Sequence, residues 1–259
     1  MELQNIFTNI LDDYYKTCKV EQIPMDIMIV EDIGKAYAEL RPDHAEREPN
    51  LIEKQRGYNG TTVPPKDYNG KFSILLSREY LRNLDEYSMD WVGTVVHEAT
   101  HVNDFVDFSR MVGVNNFDII LVPQNYRMFH LWTEFHAKAV GYFFIRKYTF
   151  VDVKDEKQAK YIIETELPYQ IKVMTDIYTS TDDGSVQMYY IVHFMGRLYV
   201  WQKLFPKHFS DRLIKEIFTN NVWMYELYNY FKNHDTLKKA YEDFDTMKAI
   251  LKKNFPGLD

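Results

Sequence analysis

Apolar residues recur at three- and four-residue steps along much of this chain. From Met89 to about Met111 they are Trp91, Val92, Val95, Val96, Ala99, Val102, Phe105 and Val106. No proline interrupts the run, so the spacing predicts a long helix, with Ser88 as its cap. Residues 125 to 148 predict a second long helix. Residues 2 to 18 place Leu3, Ile6, Phe7, Ile10, Leu11 and Tyr14 on one face of another, and Pro24 follows as a breaker. Residues 25 to 31 and 71 to 77 are compact β-prone runs. AYAEL at 36 to 40 alternates like a further strand, with Gly34 as the turn before it. Residues 41 to 71 carry Pro42, Pro49, Pro64, Pro65, Gly57, Gly60 and Gly70 and read as a long loop. A short helix or turn is expected over 78 to 87. Beyond Asp152 helices are expected near 155 to 180 (bent or split at Pro168), 185 to 204, 209 to 232 and 235 to 253.

These elements predict an α+β fold, mainly α. A small N-terminal sheet and two long helices would form a first domain over residues 1 to 150. A helical C-terminal portion over 151 to 259 would complete it or form a second lobe.

Composition narrows the function classes. Hydrophobic residues make up 46% and charged residues 27%, enough for a sizeable core. The net charge of −7 argues against a nucleic-acid partner, because phosphate binding needs clustered cations. The lone cysteine, Cys18, leaves no disulfide within the chain and no paired-cysteine metal site. The N-terminus lacks the basic and apolar segments of a signal peptide. No run of about eighteen apolar residues suggests a membrane span. The cytoplasm is the expected location.

Candidate chemistry sits on the first long helix. VVHEATHVN at 95 to 103 contains His97, Glu98 and His101, spaced H-E-x-x-H. Random placement gives this pattern in roughly one to two per cent of such sequences, so its context decides. On a helix, His97 and His101 lie one turn apart and point the same way. Two such imidazoles can bind one Zn²⁺, with the adjacent Glu placed to accept a proton from water. A catalytic zinc wants a third protein ligand. Glu134, in LWTEFHAKAVGYF, is the best candidate, and the small Ala137 and Gly141 share its face.

KFSILLS, VVHEATHVND and WTEFHAKAVG together resemble the zincin metallopeptidases, and among them the gluzincins. The likeness spans roughly residues 70 to 145, and its layout also looks like small intracellular bacterial zincins. It implies His97, His101 and Glu134 as zinc ligands and Glu98 as general base. It also implies that KFSILLS aligns a substrate backbone. The best-known gluzincins place an Asp four residues after the ligand Glu; here that position is Lys138, a donor only. Asp104, one turn beyond His101, is the candidate acceptor for a ligand imidazole. Asp104 and Asp107 are rival third ligands on a metzincin-like spacing, but the chain-turning glycine of that pattern is missing. His130 and His136 flank Glu134 and read as helix-surface or supporting residues.

On SVQMYYIVHFMGRLYVW, Tyr189, His193 and Arg197 lie four apart along one stripe. Tyr189 and His193 are the candidate donors to a developing oxyanion, with Tyr190 the alternative to Tyr189. The reading is a zinc-dependent hydrolase acting on a peptide or protein substrate. The alternative is a zincin scaffold that holds zinc for binding or regulation without turnover.

Overall fold

The computed structural model describes residues 2 to 255 apart from Tyr68 and Val151, with only the backbone of residues 2 to 4 and 123 to 125. It is mainly helical with one small mixed sheet, and its contacts divide it into two compact units, up to Leu121 and from Val122 on. The division falls ahead of the second long helix, whereas the sequence reading placed it after that helix, at residue 150. No helix among the described residues is long and apolar enough to cross a membrane.

The first unit runs α1 (Glu2–Cys18), β1 (Met25–Val30), α2 (Ile33–Leu40), α3 (Pro42–Arg47), α4 (Leu51–Gln55), β2 (Gly60–Val63), β3 (Phe72–Ser77), α5 (Arg78–Asn83), α6 (Asp90–Val112) and α7 (Phe117–Ile120). The strands lie in the order β1-β3-β2. β1 pairs parallel with β3, Met25 opposite Phe72. β2 pairs antiparallel with it, Gly60 opposite Leu76. Ile74, Leu75 and Leu76 are fully buried, as a central strand covered on both faces requires. Leu75 packs with Ile33 and Tyr37 of α2, Leu51 of α4 and Val63 of β2. On the α6 side, β2 passes so near that a Cβ on Gly60 would meet Thr94 Cγ2 at 2.7 Å and Glu98 Cγ at 3.3 Å.

AYAEL is helix, not strand. Asp32 caps α2 by accepting from the Lys35 backbone N–H, and Ile33, Gly34 and Tyr37 are its buried residues. That is helical spacing, which the short alternation of Ala36, Tyr37 and Ala38 concealed. Gly34 is likewise no turn: it lies in the first turn of α2 because α4 crosses there. A Cβ at Gly34 would stand 2.2 Å from the Ile52 carbonyl oxygen. Backbone cannot yield as a side-chain tip can, so Gly34→Ala is expected to cost about 1–3 kcal/mol despite its better helix propensity. Gly57, with nothing within 4 Å of its Cβ position, supplies the control. Urea midpoints should fall for Gly34→Ala and not for Gly57→Ala; equal midpoints would refute the close crossing.

The stretch 41 to 71 is not a structureless loop either. It holds α3, α4 and β2, each too short for periodicity to reveal.

The second unit runs α8 (Pro123–Thr149), α9 (Glu156–Tyr161), one π-helical turn (Ile162–Glu166), α10 (Leu167–Ser180), α11 (Gly184–Leu204), α12 (Asp211–Ile217), α13 (Val222–Asn233), α14 (Leu237–Glu242) and α15 (Phe244–Asn254). The segment 155 to 180 is split as Pro168 implied, with Pro168 in the first turn of α10. The two expected C-terminal helices are four, broken at 218 to 221 and at Asp243. α11 starts at the Asp183 cap and packs along α8. Gly196 permits the close approach: a Cβ there would lie 2.9 Å from the Phe135 carbonyl oxygen and 3.1 Å from the Ala139 nitrogen.

Candidate metal centre

His97 and His101 stand on consecutive turns of α6, which is unbroken as far as the Gly113 C-cap. Their Nε2 atoms face one another at 3.0 Å. Two ligand nitrogens on a tetrahedral zinc, each about 2.0–2.1 Å from the metal, would stand about 3.3 Å apart. The two imidazoles therefore suit zinc without leaving their present turns. His101 stacks on Phe105 with ring centroids 6.0 Å apart, which steadies its plane.

Glu98 is buried, and β2 holds it. Thr62 Oγ1 stands 2.9 Å from both Glu98 Oε2 and the Glu98 carbonyl oxygen, so its proton is shared between side chain and backbone. Burial pushes the Glu98 carboxyl up to about 7, against the Thr62 side-chain and backbone hydrogen bonds that favour its ionised form. A carboxyl so placed exchanges a proton readily near neutral pH.

The strand beside Glu98 corrects the expectation for KFSILLS. β3 is central and paired on both sides, so its backbone groups are spent within the sheet. β2 is the edge strand next to α6. The rival ligand Asp107 is exposed, with Oδ1 3.9 Å from Arg110 Nη1. Asp104 is buried one turn beyond His101.

In the second unit, Glu134 Oε2 and His193 Nε2 are 2.9 Å apart. This pairing was missed from sequence, which assigned His193 to an oxyanion. The signal available was Gly196, three residues after His193, where α11 meets α8 around Phe135 to Ala139. The Tyr189 ring lies 3.9 Å from the His193 ring, centroid to centroid, and Tyr189 is 44% exposed. Arg197, the third member of that stripe, donates to Gln170 Oε1 at 2.8 Å. His136 stacks on Trp132, and His130 lies beside Phe129.

A second cluster of potential ligands, Asp43, His44 and Asp118, has a different character. Buried Arg41 binds both carboxylates: Nε to Asp43 Oδ1 at 2.9 Å, and Nη2 to Asp43 Oδ2 at 2.8 Å and to Asp118 Oδ1. Its Nη1 donates to the Pro64 carbonyl at 2.8 Å, and Arg47 Nη2 donates to Asp118 Oδ2 at 2.9 Å. His44 bridges Asp118 at 2.9 Å and the Tyr37 hydroxyl at 3.1 Å. Two guanidiniums already occupy the carboxylates, so this is an ion-pair knot tying α3 to α7 rather than a cation site.

The hydrogen bond from Arg41 holds the Asp43 carboxyl well below its usual range. Burial pushes the Asp118 carboxyl up, but hydrogen bonds from Arg41 and His44 outweigh that and lower it. Both folded-state values are depressed, so the stabilisation is present above the ordinary carboxylate value near 4 and lost as pH falls below it. The urea midpoint should drop between pH 6 and pH 3, and drop less in Asp118→Asn. Equal drops would remove Asp118 from the acid response.

Comparison with family models, with curated proteins and with solved structures finds no match to this chain.

Proposed function

We propose that this chain is a zinc-dependent hydrolase, a metallopeptidase of the H-E-x-x-H type. One observation carries the reading: two convergent imidazole nitrogens on α6 with a buried, strand-held carboxylate between them in sequence. His97, His101 and Glu134 would hold the metal. A bound zinc supplies Lewis-acid polarisation of the scissile carbonyl and makes water more acidic.

The chain's own groups do the rest. Glu98 Oε2 is anchored by Thr62, so Oε1 is the atom that takes the proton from the attacking water. Glu98 then delivers that proton to the leaving amine, which closes the proton balance of peptide hydrolysis. His193 Nε2 fixes the Glu134 carboxylate, as ligand carboxylates generally require. With Nε2 so engaged, His193 is a positioning residue, and Tyr189 remains the candidate donor to the oxyanion.

The test is hydrolysis of a pool of quenched fluorescent peptides. Turnover should vanish with a zinc chelator and return with added zinc. Turnover that persists through metal removal would overturn the proposal. A chain that binds zinc yet cleaves no peptide in the pool would favour the scaffold alternative.

A further inference from the structure

Arg146, near the far end of α8, is a buried charge that this chemistry does not use. It lies twelve residues beyond Glu134, about 18 Å along the helix axis. Its side chain is 4% exposed. The guanidinium carbon lies 4.7 Å from the centroid of the Phe150 ring and 5.9 Å from that of Phe205. Nη1 approaches the Tyr142 hydroxyl at 3.4 Å and Glu166 Oε2 at 3.9 Å. Glu166 is engaged elsewhere: the Tyr142 hydroxyl donates to its Oε1 at 2.5 Å, and Trp201 Nε1 donates to that hydroxyl at 2.8 Å.

The remaining two nitrogens, Nε and Nη2, are buried and have no hydrogen-bond partner among the described residues. They are not a random pair. Nε and Nη2 form one edge of the planar guanidinium, an edge that grips a carboxylate or phosphate through two parallel hydrogen bonds. Buried donors are nearly always satisfied, and a charged one left bare carries a heavy desolvation penalty. Glu166 also ends the π-helical turn, a distortion that often marks functional sites.

We propose that the Nε–Nη2 edge of Arg146 is a binding site for a small oxyanion, with a carboxylate or phosphate group as the ligand. The site lies wholly within the second unit and is independent of the metal chemistry.

Thermal unfolding of the full chain tests this, with inorganic phosphate, acetate or chloride added at matched pH and ionic strength. Phosphate or acetate should raise the midpoint saturably above the chloride control, and the stronger of the two identifies the ligand group. Arg146→Lys keeps the charge and loses the two-pronged edge, so its apparent affinity should fall roughly tenfold or more. No anion-specific rise in the wild type, which is the result expected if trapped water satisfies the edge, would overturn the site. So would an unchanged response in Arg146→Lys. Should that variant not fold, wild-type nitrogen-15 spectra decide. The slowly exchanging Nε–Hε signal of the buried arginine should shift saturably with the anion, and an unmoved signal would overturn the proposal.

Discussion

Glu98→Gln is expected to keep its metal and lose turnover by about 10²- to 10⁴-fold, the usual worth of a positioned general base. The substitution is close to isosteric, and the amide oxygen can still accept from Thr62 Oγ1, so α6 and β2 keep their packing. What disappears is an oxygen able to take a proton. The imidazoles of His97 and His101 are untouched, so the metal content should match wild type. Initial rates on the fluorescent peptide pool, set beside metal content for the same preparation, make the comparison. A variant that cleaves at the wild-type rate would exclude Glu98 as the base.

His101→Ala should act on the metal itself. Removing one of two facing nitrogens leaves His97 without its neighbour on α6. Zinc binding to the folded chain alone stabilises it, by about 2.7 kcal/mol at a hundredfold excess over Kd. For units of this size that corresponds to a rise of about 5–10 °C in the unfolding midpoint. The wild type should display this zinc-dependent rise and His101→Ala should not. His101 also stacks on Phe105, so the metal-free variant should be compared with metal-free wild type to separate packing from ligation. An equal zinc response in both would remove His101 from the ligand set.

Both predictions rest on the part of the chain that was most legible. The long helices were readable because their periodicity runs for many turns: 89 to 111 against Asp90–Val112, and 125 to 148 against Pro123–Thr149. The β-prone runs stood out because their apolar residues are contiguous, as in β3, which is buried on both faces. The short elements were not readable. α3, α4 and β2 hold six, five and four residues, and tertiary packing rather than their own pattern fixes them. The glycine at 34 suggested a turn, but it serves a helix crossing that only α4's position explains.

The candidate site divides the same way. His97, Glu98 and His101 are local in sequence, so their shared helix follows from spacing alone. The support around them is not local. Thr62 reaches Glu98 from β2, 36 residues earlier. His193 reaches Glu134 from α11, 59 residues later. Neither partner lies in a motif, and each depends on a close approach through a glycine, Gly60 in one case and Gly196 in the other. The four-residue spacing of Tyr189, His193 and Arg197 implied one shared purpose, yet His193 and Arg197 meet different partners on α8 and α10.

Metal content by plasma mass spectrometry, on protein purified without a polyhistidine tag or chelator, tests the central claim most directly. The account predicts about one zinc per chain in the wild type, lost in both His101→Ala and Glu134→Ala. Full zinc in Glu134→Ala would reassign the third ligand. A wild type that holds no zinc, even after zinc is added back, would contradict the account and leave His97, Glu98 and His101 as polar residues on a buried helix.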